Sequence, residues 1–401
     1  MSKTNEAKVV NQSQGRAGIV LIIVVMLLLG ASILGSFLLF QRQVGRSISS
    51  YVPSSSIIAG SAAFVNSAQG INDKFEVAFP KLSSPKTGKA YYAWLLTDKG
   101  LSDRQSLLLG TLTNAQNEGS GMALMYVGDA QHSNLLTTYS RVVITQDDAS
   151  FAPIAPISSW LYYGEITQVR PSITVDKAPY SMLDHVRHLD ADDPTLEALS
   201  HPISNGLAYW LKQNIGKVQE WASAARNEQD AGLVHRHMLR ILDYLAGSRL
   251  IRSILPQEPL MLDTPEEQVG VVRGDIQEQS YLSHVEKHLS GILISPHVPR
   301  DQRLLADTLR INLQQIAQEE EQVYVDALQL AEMTLAQLHT DTAHTLLDKM
   351  HQNADRAYVG YVDPITQERF IGVSDLYAGI EQLSTIHLFP CSPETCQKEQ
   401  A

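Results

Sequence analysis

The chain has 401 residues, with 43 Asp and Glu against 31 Lys and Arg, for a formal net charge of −12. That balance excludes a surface built to bind nucleic acid or to dock onto anionic lipid, since both need clustered positive charge. The length allows two domains of ordinary size, and the only two cysteines fall in the last dozen residues, so no expected core holds a free thiol.

The first element is the run Gly18–Phe40, which carries no charged side chain. As a helix it would extend roughly 34 Å, enough to cross a hydrocarbon layer of about 30 Å. Lys3, Lys8, Arg16 and the amino terminus precede it, and Arg42 and Arg46 follow. The positive-inside rule then places the N-terminus in the cytoplasm. The run exceeds the apolar core of a cleaved signal peptide. The expectation is an uncleaved single-pass anchor over 18–40, with a cytoplasmic tail over 1–17 and everything later extracytoplasmic at a bacterial cell membrane. Gly30, Ala31, Ser32, Gly35 and Ser36 would give this helix a small-residue face for homodimer pairing.

Residues 41–74 are rich in Ser, Ala and Gly and contain Pro53, which predicts a flexible stalk. From 75 to 178 the pattern changes to short runs of β-branched, aromatic and leucine residues: Phe75–Phe79, Lys89–Leu96, Ser106–Leu112, Gly121–Val127, Arg141–Thr145 and Ser159–Glu165. Turn-forming clusters separate them, so an antiparallel β-sandwich is expected. Alternation puts Tyr92 and Trp94 on one face of their strand and Tyr91 and Ala93 on the other. Trp94 and Leu96 are expected in the core rather than in a ligand site.

Residues 179–389 read as an all-α helical bundle. Apolar residues recur at helical spacing over Asn205–Arg226, Asp230–Ala246, Gln277–Ile294, Arg300–Ala317 and Val323–Leu338, and Asp341 starts a further helix. Leu233–Ala246 resembles Arg303–Ile316, with Leu239-Arg240-Ile241 matching Leu309-Arg310-Ile311. Duplicated helical hairpins would explain that likeness, as would chance similarity between amphipathic helices. Residues 390–401 read as a disordered tail. Within it Cys391 and Cys396 fit either a disulfide closing a small loop or two unpaired thiols.

Tyr92 and Trp94-Leu95, Leu109-Gly110-Thr111-Leu112, the strand Arg141–Thr145, the Pro153/Pro156 loop and the strand near Leu161–Gly164 carry a likeness. On these residues the stretch 75–175 resembles the extracytoplasmic C-terminal domain of the bacterial anti-sigma-K factor family. The resemblance implies a β fold outside the membrane and an anti-sigma factor-like signalling role. Two departures stand against the family's activity. Gln146-Asp147-Asp148-Ala149-Ser150 replaces the usual Glu-Pro turn with its following Gly-Ser. The tail Met1–Ala17 has no Cys or His and no room for a sigma-binding domain.

Histidine is the residue type to weigh for chemistry, because 12 of the 13 lie beyond residue 180. His284 and His288 are four apart and share a helix face. With His237 from another helix they are the candidate ligand set for zinc, copper or haem iron. His185 and His188 are three apart beside Asp184, and His344 and His351 also share a face. An imidazole that only satisfies a carboxylate or carbonyl at a bundle boundary is the plainer reading of each. No G-x-S-x-G elbow, phosphate-binding glycine loop or calcium loop is present.

The expected whole is a membrane-anchored α+β multidomain protein: one transmembrane helix, a β-sandwich, then a helical bundle. The expected function is a non-enzymatic, extracytoplasmic interaction or sensory module of the bacterial envelope, without a cofactor. Its partners would be the bilayer through 18–40 and a membrane or envelope protein. The alternative is a metal- or haem-binding envelope protein using the bundle histidines.

Overall fold

A computed structural model describes residues 57–101, 105–115, 121–172, 180–191, 204–255, 269–274, 280–391 and 396. Eight consecutive strands open the fold: β1 (Gly60–Val65), β2 (Lys74–Phe79), β3 (Lys89–Thr97), β4 (Leu107–Thr111), β5 (Thr113–Asn114), β6 (Met122–Tyr126), β7 (Tyr139–Asp148) and β8 (Trp160–Glu165). Helices follow: α1 (Met182–Asp190), α2 (Gly206–Asn227), α3 (Ala231–Ala246), α4 (Ser248–Ile254), α5 (Tyr281–Ile294), α6 (Arg300–Ala331) and α7 (Asp341–Val359). The hairpin β9 (Gly360–Val362) and β10 (Arg369–Ile371), helix α8 (Val373–Gln382) and strand β11 (Ile386–Pro390) complete it.

The main sheet has nine antiparallel strands in the order β4-β3-β7-β8-β11-β1-β2-β6-β5. It curls until β4 meets β6, which makes a nearly closed barrel. The expected sandwich is therefore corrected to one curved sheet. Its register shows why. β11 returns from the far end of the sequence to sit between β8 and β1, pairing Phe389 with Tyr163 and Gly60 with Leu388. Helices α1–α8 lie between β8 and β11 in sequence, so they are an insertion into the barrel rather than a second domain after it. One apolar core joins the two parts, running from Phe64, Phe75, Val77 and Leu95 through Leu189 and Leu211 to Leu289 and Leu388.

β3 is buried on both faces. Ala93 and Leu95 face the main core, while Tyr92, Trp94 and Leu96 pack with Val143 and Trp160 on the other side. That is the period of a strand, two residues per repeat. Cys391 and Cys396 are disulfide-bonded and cover this second cluster, and the Cys391 amide donates to the Leu161 carbonyl at 2.8 Å.

Two more expectations change. The stretch 60–65, read as stalk, is an interior strand, paired with β11 on one side and β2 on the other. Arg300–Ala331 is one helix of 32 residues, where two were expected; its buried face continues through Ile316, Glu320, Val323 and Ala327. The single-pass membrane placement is also corrected. No helix among the described residues is long and apolar enough to cross a membrane. The tail 1–17, the span 18–40 and its pairing face lie outside the described residues.

Candidate functional site

Helix α1 is the short strut between barrel and helices, and its sequence specifies it locally. Ser181 and Asp184 form a capping box: the Ser181 Oγ accepts from the Asp184 amide, and the Asp184 carboxylate accepts from the Ser181 amide at 2.8 Å. Such reciprocal capping satisfies two amides that a helix start leaves open. Met182, Leu183, Val186 and Leu189 then bury the apolar stripe. His185 and His188, three apart, emerge on the side that meets α5. Arg187 emerges toward the barrel.

Helix α5 brings the matching pair. Ser280 caps it by accepting from the Ser283 amide at 3.3 Å. His284 and His288, four apart, share the face that α1 covers. All four imidazoles are buried, at 4–7% exposure. His185 Nδ1 and His288 Nδ1 are 3.0 Å apart. The His188 and His288 rings stack at 4.5 Å with 20° between planes, and His284 lies 6.3 Å from His288, edge on. Tyr180 closes the group, 5.0 Å from His188 and 5.6 Å from His185. Gly291, on the next turn of α5, makes the fit possible: a Cβ there would lie 2.1 Å from His185 Cε1.

Hydrogen bonding fixes part of the protonation. His188 Nδ1 donates to the Asp184 carbonyl at 2.6 Å, so that nitrogen carries a proton. The His185–His288 contact needs one nitrogen to donate and the other to accept, so at most one of the two facing nitrogens carries a proton. His284 Nδ1 is buried and has no partner among the described residues. Burial pushes His185 down to about 4, helped by His188 and opposed by Asp184. Burial, then Lys287, takes His284 to about 4. Burial and the other three rings hold His288 well below the ordinary imidazole value. Around neutrality these three rings are uncharged.

The expected ligand set divides. His284 and His288 share the cluster, but His237 stacks on Trp221 of α2 at 5.3 Å, with the Arg240 guanidinium 4.3 Å from the same indole. No hydrogen bond or ring contact among the described residues joins His237 to His284 or His288. The reason is helical phase: on α3 the face at 237 meets α2, not α5. Among the described residues no three His, Cys, Asp or Glu are placed to hold one metal ion. His351 Nδ1 lies 3.3 Å from Asp355 on its own helix, the plainer role expected of a boundary histidine.

The other side of α1 is charged and fully matched. Arg187 Nη1 and Nη2 donate to the two Asp98 oxygens at 2.6 and 2.8 Å, and its Nε donates to the Leu136 carbonyl at 2.8 Å. Ser140 Oγ donates to Asp98 at 2.7 Å. Sequence reasoning did not single out this pair, and no local signal marks it, since the partners are 89 residues apart.

Comparisons with family models, curated proteins and solved structures give no match. None of them identifies an anti-sigma-K factor domain in this chain. The stretch that carried that resemblance is no self-contained sheet, because it needs β1 and β11 from outside its limits.

Proposed function

We propose that this protein is a non-enzymatic sensory module that reads proton concentration through the histidine contact between α1 and α5. The observation that carries this is the 3.0 Å approach of His185 Nδ1 to His288 Nδ1. A pair that close is held by one lone pair. When both nitrogens are protonated, two N–H groups confront each other inside a buried interface. The neighbouring groups oppose charge as well. His188 and His284 lie against the same ring, and Lys287 on α5 adds a positive charge. Only Asp184 favours protonation of His185, and its carboxylate is engaged with the Ser181 amide and with Arg170 Nε at 3.4 Å. Parting α1 from α5 lets water reach all four rings at once, so protons are taken up together with the movement.

The sign follows from the direction of the shifts. The folded pKa values of His185, His284 and His288 are depressed, so the stability these three histidines contribute is complete above about 6.5, the ordinary imidazole value. It is lost as pH falls through about 4. The test is a proton NMR titration of the histidine rings in the full chain, with hydrogen exchange followed at α1 and α5. The expected outcome is ring titration well below the ordinary value, with loss of α1 and α5 amide protection over the same interval. Ring titration near 6.5, or protection that does not follow it, overturns the reading. Stoichiometric zinc, copper or iron in the purified protein would overturn it in favour of metal binding.

A further inference from the structure

The last residue of α1 enters a second polar contact that the histidine reading does not use. Asp190 is wholly buried. Against it lies Asn72, 1% exposed, in the connection between β1 and β2. Asn72 Nδ2 donates to the Asp190 carbonyl oxygen at 2.6 Å and to its Oδ2 at 3.2 Å. Asn72 is held in place from three directions. Its amide donates to Asn66 Oδ1 at 2.7 Å, its carbonyl accepts from the Leu135 amide at 3.0 Å, and its φ of 51° lies in the left-handed region that asparagine tolerates.

Two oxygens of this contact have no partner among the described residues: Asp190 Oδ1 and Asn72 Oδ1. Both are acceptors while Asp190 is ionised, and burying unmatched acceptors is costly. A proton on Asp190 Oδ1 converts one of them into a donor. Asp190 and Asn72 then have the complementary groups of an acid–amide pair, N–H to Oδ2 and O–H to the amide oxygen.

The surroundings also favour the neutral acid. On α8, Glu381 and Tyr377 lie beyond Asn66, whose Nδ2 donates to Glu381 Oε1 and to the Tyr377 oxygen at 3.2 Å. From α2, Lys212 lies 4.6 Å from the Tyr377 ring centre and is directed to that residue and Glu381. On α1 itself Arg187 is committed to Asp98. Asp73, beside Asn72, takes bonds from Ser67 and His132. Among the described residues no cation pairs with Asp190.

We propose that Asp190 carries a proton at neutral pH, and that this proton locks the end of α1 onto the β1–β2 connection through Asn72. Burial, with the Glu381 charge adding to it and the Asn72 bond opposing, moves this carboxyl up to about 8. The folded value is raised, so the lock is intact at low pH and is lost as pH rises through that value. The latch answers to alkali and the histidine cluster to acid, and neither depends on the other.

The experiment compares the full chain with Asp190→Asn by infrared difference spectroscopy and hydrogen exchange, from about pH 6 to about pH 10. In the wild type a protonated-carboxyl carbonyl band disappears with a midpoint near 8, and that component is missing from Asp190→Asn. Protection of the amides at 70–73 and 188–190, taken relative to the intrinsic exchange rate at each pH, falls roughly tenfold across the same range in the wild type. In Asp190→Asn they keep their low-pH protection, because an amide at 190 supplies the donor and acceptor of the protonated acid. An identical carboxyl band in both proteins, or an exchange step that persists in the variant, overturns the proposal. Asn72→Gly gives a second reading that needs no change at 190. It keeps the backbone angle and removes the acceptor, so the Asp190 band should move to the higher frequency of an unbonded acid. A band that does not move overturns the proposal equally.

Discussion

The two sides of α1 solve the same problem in opposite ways. Toward the barrel, Arg187 and Asp98 are a full ion pair with four hydrogen bonds between them and their neighbours. Toward α5, the helix offers His185, which stays uncharged around neutrality and shares one hydrogen bond with His288, while His284 Nδ1 has no partner among the described residues. A charge that is completely matched can be buried and held over the whole pH range in which both partners are ionised. A neutral ring with a pKa below its usual value is held only while protons are scarce. One side therefore anchors α1, and the other is the side that can let go.

Acid should show the difference most strongly. His185 alone falls from the ordinary 6.5 to about 4, a shift that corresponds to about 3 kcal/mol between the two protonation states. Denaturant unfolding at a series of pH values should show stability dropping as pH falls from about 6.5 to about 4. His185→Phe should flatten part of that slope while leaving Arg187–Asp98 in place. A slope unchanged in the variant would show that the rings do not carry it.

The anchor side should respond to mutation rather than to pH. Arg187→Met removes the charge and three donors but keeps much of the stem. Fully buried pairs lose about 3–5 kcal/mol when one partner goes, and exposed pairs less than about 1. Arg187 is 13% exposed and Asp98 26%, so a loss of about 2 kcal/mol is expected, and the histidine titration should keep its midpoint. Gly291→Ala tests the sensing side without touching a titrating group. The new methyl meets the His185 ring, and overpacking of this kind costs about 1–3 kcal/mol. Part of that loss should disappear in acid, where the contact is already open.

Much of this fold is legible in local sequence, and the informative failures are long-range. The six runs between Phe75 and Glu165 all lie on strands, because alternation and turn residues are local signals. β1 was missed because its sequence, Gly-Ser-Ala-Ala-Phe-Val, has the composition of a linker. Its small residues serve close packing instead: a Cβ at Gly60 would lie 2.6 Å from the Ala78 carbonyl. β11 is five residues long, and its pairing with β1 joins positions 60 and 388, which no window can register. The site divides in the same way. Spacings of three and four marked His185 with His188 and His284 with His288 as pairs on a face. That the two faces meet, and that His237 turns to Trp221 instead, is a property of helix packing.

The smallest effect expected belongs to the element that serves both sides equally. Ser181 holds the start of α1 by accepting from the Asp184 amide at 3.2 Å. Ser181→Ala removes that acceptor and leaves the Asp184 carboxylate free to keep the reciprocal bond to the amide at 181. Losing an N-cap hydroxyl costs about 1 kcal/mol. The Ser181 hydroxyl touches neither the Arg187–Asp98 pair nor the rings, so the loss should be the same at neutral and at acid pH. Unfolding curves should then shift in parallel, with the histidine midpoints unmoved. If the midpoints move upward instead, fraying at the N-terminus of α1 is coupled to ring protonation. The release of α1 would then begin at its capped end, beside His185, rather than along the whole face against α5.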